Sequence, residues 1–116
     1  MKENNLKERT KNFALRIINL TNSLPSNRLG NVIGNQLLRS GTSVGANYNS
    51  ACRGRSRAEF LSKLGIVIEE ADESIFWLEL IIESKLVKEV LVRPLLVEAN
   101  EILAIMIASV KKTKIK

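Results

Sequence analysis

The sequence predicts an all-α fold, an antiparallel up-down four-helix bundle. Two observations carry that prediction. Apolar residues recur at helical spacing in four separate segments, with no run of strand-like alternation and no internal repeat. Aromatics make up only 4% of a chain that is 45% hydrophobic, so Leu, Ile, Val and Ala must fill the core, a palette suited to helix packing. At 116 residues the chain is expected to form one domain, 1–116, with a single modest core.

The first helix is expected over about 6–24. Leu6, Phe13, Ile17, Leu20 and Leu24 lie on one helical face, and Pro25 ends the segment. The second is expected over about 26–52, capped by Ser26 and carrying Leu29, Val32, Ile33, Gln36 and Leu37, with a distortion near Gly41. Gly54 then breaks the chain. Ser56 followed by Glu59 matches a capping box, opening a third helix over about 56–84. Its inward stripe reads Phe60, Leu64, Val67, Ile68, Ala71, Ile75, Leu78 and Ile82. Leu61, Trp77, Leu80 and Ile81 widen the apolar surface beyond one stripe, which suggests a face shared with a partner subunit. Val87 to Val92 reads as a turn or loop. The fourth helix is expected over about 94–111, with Pro94 in its first turn and Lys111, Lys112 and Lys114 complementing its negative end.

One stretch stands out inside the second helix: Ser40, Gly41, Thr42, Ser43, Val44, Gly45, Ala46 and Asn47, all small apart from one valine. Each glycine costs about 0.5–1 kcal/mol against alanine in a helix interior. Two of them make sense if another backbone approaches closely, and a surface turn is the rival reading. The stretch is therefore a candidate helix-packing and oligomer motif.

Charge is unevenly distributed. Residues 1–57 hold ten Lys/Arg against two Glu, residues 58–110 hold four against ten Asp/Glu, and the tail adds four lysines. Such asymmetry points to a polyanion for the basic part, to basic-on-acidic docking of subunits, or to solvated helix faces. Arg53, Arg55 and Arg57 form the densest basic run, at the start of the third helix. There they are candidates for binding phosphate at a helix N-terminus, for pairing with an acidic neighbour, or for plain solvation. The aromatics are not interleaved with this run, which argues against base stacking.

Enzymatic chemistry has little to stand on. The chain has no histidine, which removes the commonest general base and nitrogen ligand. Cys52 is the only cysteine; it excludes an intramolecular disulfide, suits a reducing cytoplasm and reads as a buried apolar residue. Glu69, Glu70, Asp72, Glu73 and Glu79 cluster on the third helix, but a di-metal bundle site would pair such carboxylates with histidines. No catalytic residue, metal, cofactor or small-molecule substrate is expected. Met1 to Arg9 is charged with no apolar run behind it, and the apolar run Ile102 to Val110 is far too short to span a membrane. A cytoplasmic protein without membrane contact is expected.

Several runs together resemble a known family. They are Phe13-Ala14-Leu15-Arg16-Ile17, Gln36 through Tyr48, Ser56 through Phe60, Lys63 through Ile66, Glu70 through Ser74, and Trp77-Leu78. In these the chain resembles the bacterial four-helix-bundle proteins named for the 23S rRNA intervening sequence, a family related to the accessory variability protein of diversity-generating retroelements. It departs from many members at Ser50 and Glu69, where they carry glutamate and lysine. The resemblance implies a bundle that assembles into a homopentameric ring. It implies no enzyme activity, and its relative works with nucleic acid and a reverse transcriptase. The function expected is a non-enzymatic ring-forming bundle that binds RNA, DNA or a nucleic-acid-handling protein through Arg53, Arg55 and Arg57, supported by Lys11, Arg16 and Lys63. The alternative is a purely structural oligomeric scaffold.

Overall fold

The structure, a computed structural model, describes residues 2–115, with side chains from Asn5 to Ile115. Four helices form an elongated body of 47 × 20 × 19 Å: α1 (Lys2–Ser23), α2 (Arg28–Cys52), α3 (Arg57–Glu83) and α4 (Arg93–Ile115). No strand occurs among the described residues. A short 3₁₀ turn, Glu89–Leu91, joins α3 to α4 and tucks Val92 into the core.

The helix ends follow from local chemistry. Pro25 has no backbone N–H and disfavours helical geometry in the residue before it, so α1 stops at Ser23. The cap of α2 is Asn27, not Ser26: its side chain accepts the Gly30 N–H at 2.8 Å, and the helix starts two residues later than the sequence suggested. Ser56 caps α3 by accepting the Glu59 N–H at 3.1 Å. At the other end of α3, Lys85 adopts φ 57, and two bonds close the helix there. Lys85 N–H donates to the Ile82 carbonyl and Leu86 N–H to the Ile81 carbonyl, a Schellman closure with lysine where glycine is usual. The fourth helix begins one residue before Pro94 and continues past Lys111 to Ile115.

The core runs the length of the bundle. Phe13, Ile17, Leu37, Val44, Leu64, Leu78, Ile102 and Met106 are essentially inaccessible, and Tyr48 is the largest fully buried side chain. On α3 the buried register is Leu64, Val67, Ala71, Ser74 and Ile75, Leu78, Ile81, so Ile81 faces inward where Ile82 was expected. Spacings of three and four from Val67 to Ile81 keep that stripe on one face. α2 and α3 each pack closely against two neighbouring helices, whereas α1 and α4 meet along a much thinner seam. The broad apolar surface of α3 therefore has a partial explanation inside the monomer: one flank serves α2 and the other α4. What remains outside is mainly Phe76, which is 51% exposed.

α2 runs unbroken through Gly41. Ser40, Gly41, Val44 and Gly45 are buried, Thr42, Ser43 and Asn47 are half-buried, and Ala46 is exposed. A Cβ at Gly45 would stand 3.1 Å from the Thr10 carbonyl oxygen of α1, and one at Gly41 only 2.7 Å from Ile17 Cγ1. These glycines let the two helices approach closely. On the neighbouring flank the buried hydroxyls of Ser40 and Ser74 lie 3.1 Å apart and link α2 to α3. Ser74 also donates to the Glu70 carbonyl at 2.8 Å.

Candidate nucleic-acid interface

The contacts of Gly45 with Thr10, Gly41 with Ile17 and Gly34 with Leu24 fix α1 and α2 antiparallel, and the short connection over 53–56 returns α3 along α2, with Ser74 beside Ser40. Alternating direction brings the start of α1, the end of α2, the start of α3 and the end of α4 to one end of the bundle. Lys7, Arg9 and Lys11 on α1, Arg53, Arg55 and Arg57 in the α2–α3 connection, Lys63 on α3, and Lys111, Lys112 and Lys114 on α4 therefore converge there. Only Glu8 and Glu59 oppose them in the same segments.

Of the residues singled out by sequence, Arg53, Arg55, Arg57 and Lys11 are exposed at this end, and Lys63 is half-buried beside it. Arg16 is not part of the group. It is exposed on α1, but five residues beyond Lys11, about 7.5 Å further along the axis and about 140° around it. None of these six side chains makes an ion pair with another described residue. The terminal lysines, read from sequence only as partners of the helix dipole, are brought to the arginine run by topology. The up-down order was the signal that could have found them.

The N-terminus of α3 is less open to anions than its sequence suggested. Glu59 Oε1 accepts the Arg55 N–H at 2.6 Å, so a carboxylate already sits at that helix end. A phosphate there would meet the guanidinium side chains rather than bare backbone amides.

Other cations are committed within the chain. Arg9 donates to both Glu98 oxygens at 2.7 and 2.8 Å and to Glu101 at 2.5 Å, tying α1 to α4. The Glu98 hydrogen bonds push the Arg9 guanidinium pKa further up, against a smaller opposing effect of burial. Arg39 bridges α2 to α3, 2.6 Å from Glu73 and 3.1 Å from Glu70. Glu73 also accepts the Trp77 indole N–H at 3.0 Å. That bond, with Arg39 second, holds the Glu73 carboxyl below its ordinary range. The acidic cluster of α3 is thus partly a set of acceptors for α2. Among the described residues no group of His, Cys, Asp and Glu is arranged to hold a metal ion. No described helix is long and apolar enough to cross a membrane. Cys52 is half-buried rather than enclosed, packing on the edge of the core.

Comparison with known proteins places this geometry in context. The family model described as 23S rRNA-intervening sequence protein matches residues 2–108. A solved structure from Bacteroides thetaiotaomicron VPI-5482, described as a protein with unknown function from the S23 ribosomal protein family, is 38% identical to this chain. It superposes with a TM-score of 0.88, covering 96% of this chain and 99% of that one. No curated protein matches.

Proposed function

The chain belongs to the 23S rRNA-intervening sequence protein family, and we propose that it is a non-enzymatic, self-associating helical bundle that binds nucleic acid through its basic end. The observation that carries this reading is the convergence of ten cations from α1, the α2–α3 connection, α3 and α4 on one pole, opposed in the same segments by two carboxylates. Arg9 is engaged by Glu98 and Glu101 of α4; the other nine make no ion pair among the described residues. Such a compact set of guanidinium and ammonium groups suits a phosphate backbone. Neither the family description nor that of the solved neighbour names an enzymatic activity.

Self-association into a ring, pentameric as the family resemblance implies, has its own support. Leu15, Leu29, Val32, Phe76, Val97 and Ile107 are each more than a third exposed, apolar side chains that neighbouring subunits would cover. The partner, RNA, DNA or a nucleic-acid-handling protein, would meet the basic pole in a cytoplasmic setting.

The test is binding of a fluorescent structured RNA and a matched DNA duplex across roughly 50 to 200 mM salt, where phosphate contacts make log affinity fall linearly with log salt. The Arg53→Ala/Arg55→Ala/Arg57→Ala variant should bind more weakly, with a slope shallower by about 0.9 for each duplex phosphate it no longer engages. Absent binding to both probes favours the second reading, a structural scaffold, which the exposed apolar side chains also support. In that case high salt should lower the assembly's mass by weakening ion pairs between subunits.

A further inference from the structure

At the basic pole the four helices do not close over the core. They leave a cavity of about 640 Å³, within the ordinary range of ligand pockets. Leu6 of α1, Phe60 of α3 and Ile105 and Ala108 of α4 give it apolar walls, with buried Tyr48 behind them. Arg57 and Lys112 stand at the same cavity. Both are exposed, and neither is paired with a carboxylate among the described residues.

We infer that this cavity receives one unstacked nucleotide of a bound RNA or DNA strand, its base against Phe60 and the aliphatic walls and its phosphate between Arg57 and Lys112. The inference rests on the nucleic-acid reading above and names the part of the ligand that the pole selects. In the linear sequence no aromatic is interleaved with the arginine run. The fold supplies what the order of residues does not, by setting Phe60 and an apolar recess directly beside Arg57 and Lys112. A single anionic head group would need only those two cations. Arg53, Arg55, Lys111 and Lys114 extend the charge beyond the cavity, as a strand with further phosphates requires. Base-on-aromatic contact tolerates any base, so the site distinguishes unpaired from paired nucleotides rather than one sequence from another.

The experiment compares two hairpins of identical stem and loop, one blunt and one with a short unpaired tail carrying 2-aminopurine. The parent protein should bind the tailed hairpin about tenfold more tightly, with a change in 2-aminopurine fluorescence. Ala108→Trp places an indole in the cavity from an exposed position on α4. It should bind both hairpins with the affinity and the salt slope that the parent shows for the blunt one. Phe60→Leu, which keeps apolar bulk, should lose most of the preference. Equal binding of both hairpins by the parent, or a preference that survives Ala108→Trp, overturns the cavity assignment and leaves the nucleic-acid reading standing. No binding of either hairpin overturns both. A free nucleoside monophosphate binding as tightly as the tail would overturn the strand as the occupant.

Discussion

Three glycines show how differently one residue type acts at three addresses. Gly45 sits where α1 and α2 touch, and a Cβ there would stand 3.1 Å from the Thr10 carbonyl oxygen. Gly45→Leu should cost at least the about 1–3 kcal/mol of overpacking, because backbone cannot yield as a side chain can. Thermal denaturation with light scattering reads this: the variant unfolds or changes mass, whereas unchanged melting and mass would refute the close-packing role. Gly41 lies beneath the Ile17 side chain, a softer neighbour. Gly65 is the contrasting case, in the interior of α3, where an added methyl group would meet nothing within 4 Å. Gly65→Ala should therefore stabilise the monomer by about 0.5–1 kcal/mol, through the lower entropy of the unfolded chain. A melting temperature that falls instead would mean that a second copy packs on that position. The sequence announced the small-residue stretch but not which half of it faces inward. That depends on the rotation of α2, which is set by contacts on both flanks.

At the scale of elements, legibility tracked how local the determining physics is. Pro25, the capping pair Ser56 and Glu59, and the apolar stripe of α1 act within a turn or two and could be read directly. Asn27 displacing Ser26 as the cap is a local choice between two adjacent good capping residues, whereas Ile81 displacing Ile82 in the core depends on helix rotation and neighbour packing. The α2–α3 bridge belongs to the same non-local class, since Arg39, Glu70, Glu73 and Trp77 meet only in the folded chain. It makes a pH prediction. Hydrogen bonding from Trp77 first, and from Arg39 second, lowers the folded pKa of Glu73 below its unfolded value. Its stabilising contribution is therefore fully present above the unfolded carboxylate pKa, about 4.3, and is lost as pH falls through the lower folded value. Trp77 is the only tryptophan, so its fluorescence reports that protonation. The acid titration should have a midpoint below the ordinary glutamate value. Arg39→Ala should move it up only part of the way, because the indole bond remains. A midpoint at the ordinary value in the parent protein would remove the bridge from the account.

At the scale of the whole molecule, the charge asymmetry counted along the chain becomes a polarity along the bundle axis. Residues at the two ends of the sequence and at its middle become neighbours because each helix reverses the direction of the last. Lys111, Lys112 and Lys114 are the sharpest test of that polarity, since two physical roles compete for them. As cations at the end of α4, Lys112 and Lys114 in its last turn and Lys111 just before it, they offset the helix dipole, by about 0.3–1 kcal/mol each at most. As members of the basic pole they should contact phosphate alongside Arg57, more than fifty residues away in sequence. Replacing all three with alanine separates the roles. A dipole role alone lowers the melting temperature and leaves nucleic-acid affinity intact. The pole predicts weaker binding and a salt slope shallower by about 0.9 for each phosphate released on duplex DNA. It also predicts losses that add to those of the Arg53, Arg55 and Arg57 variant where the two groups touch separate phosphates. Exposed lysines hold little of the fold together, so the stability change should be small beside the change in affinity. A protein that melts early yet binds as before would confine these lysines to the helix end.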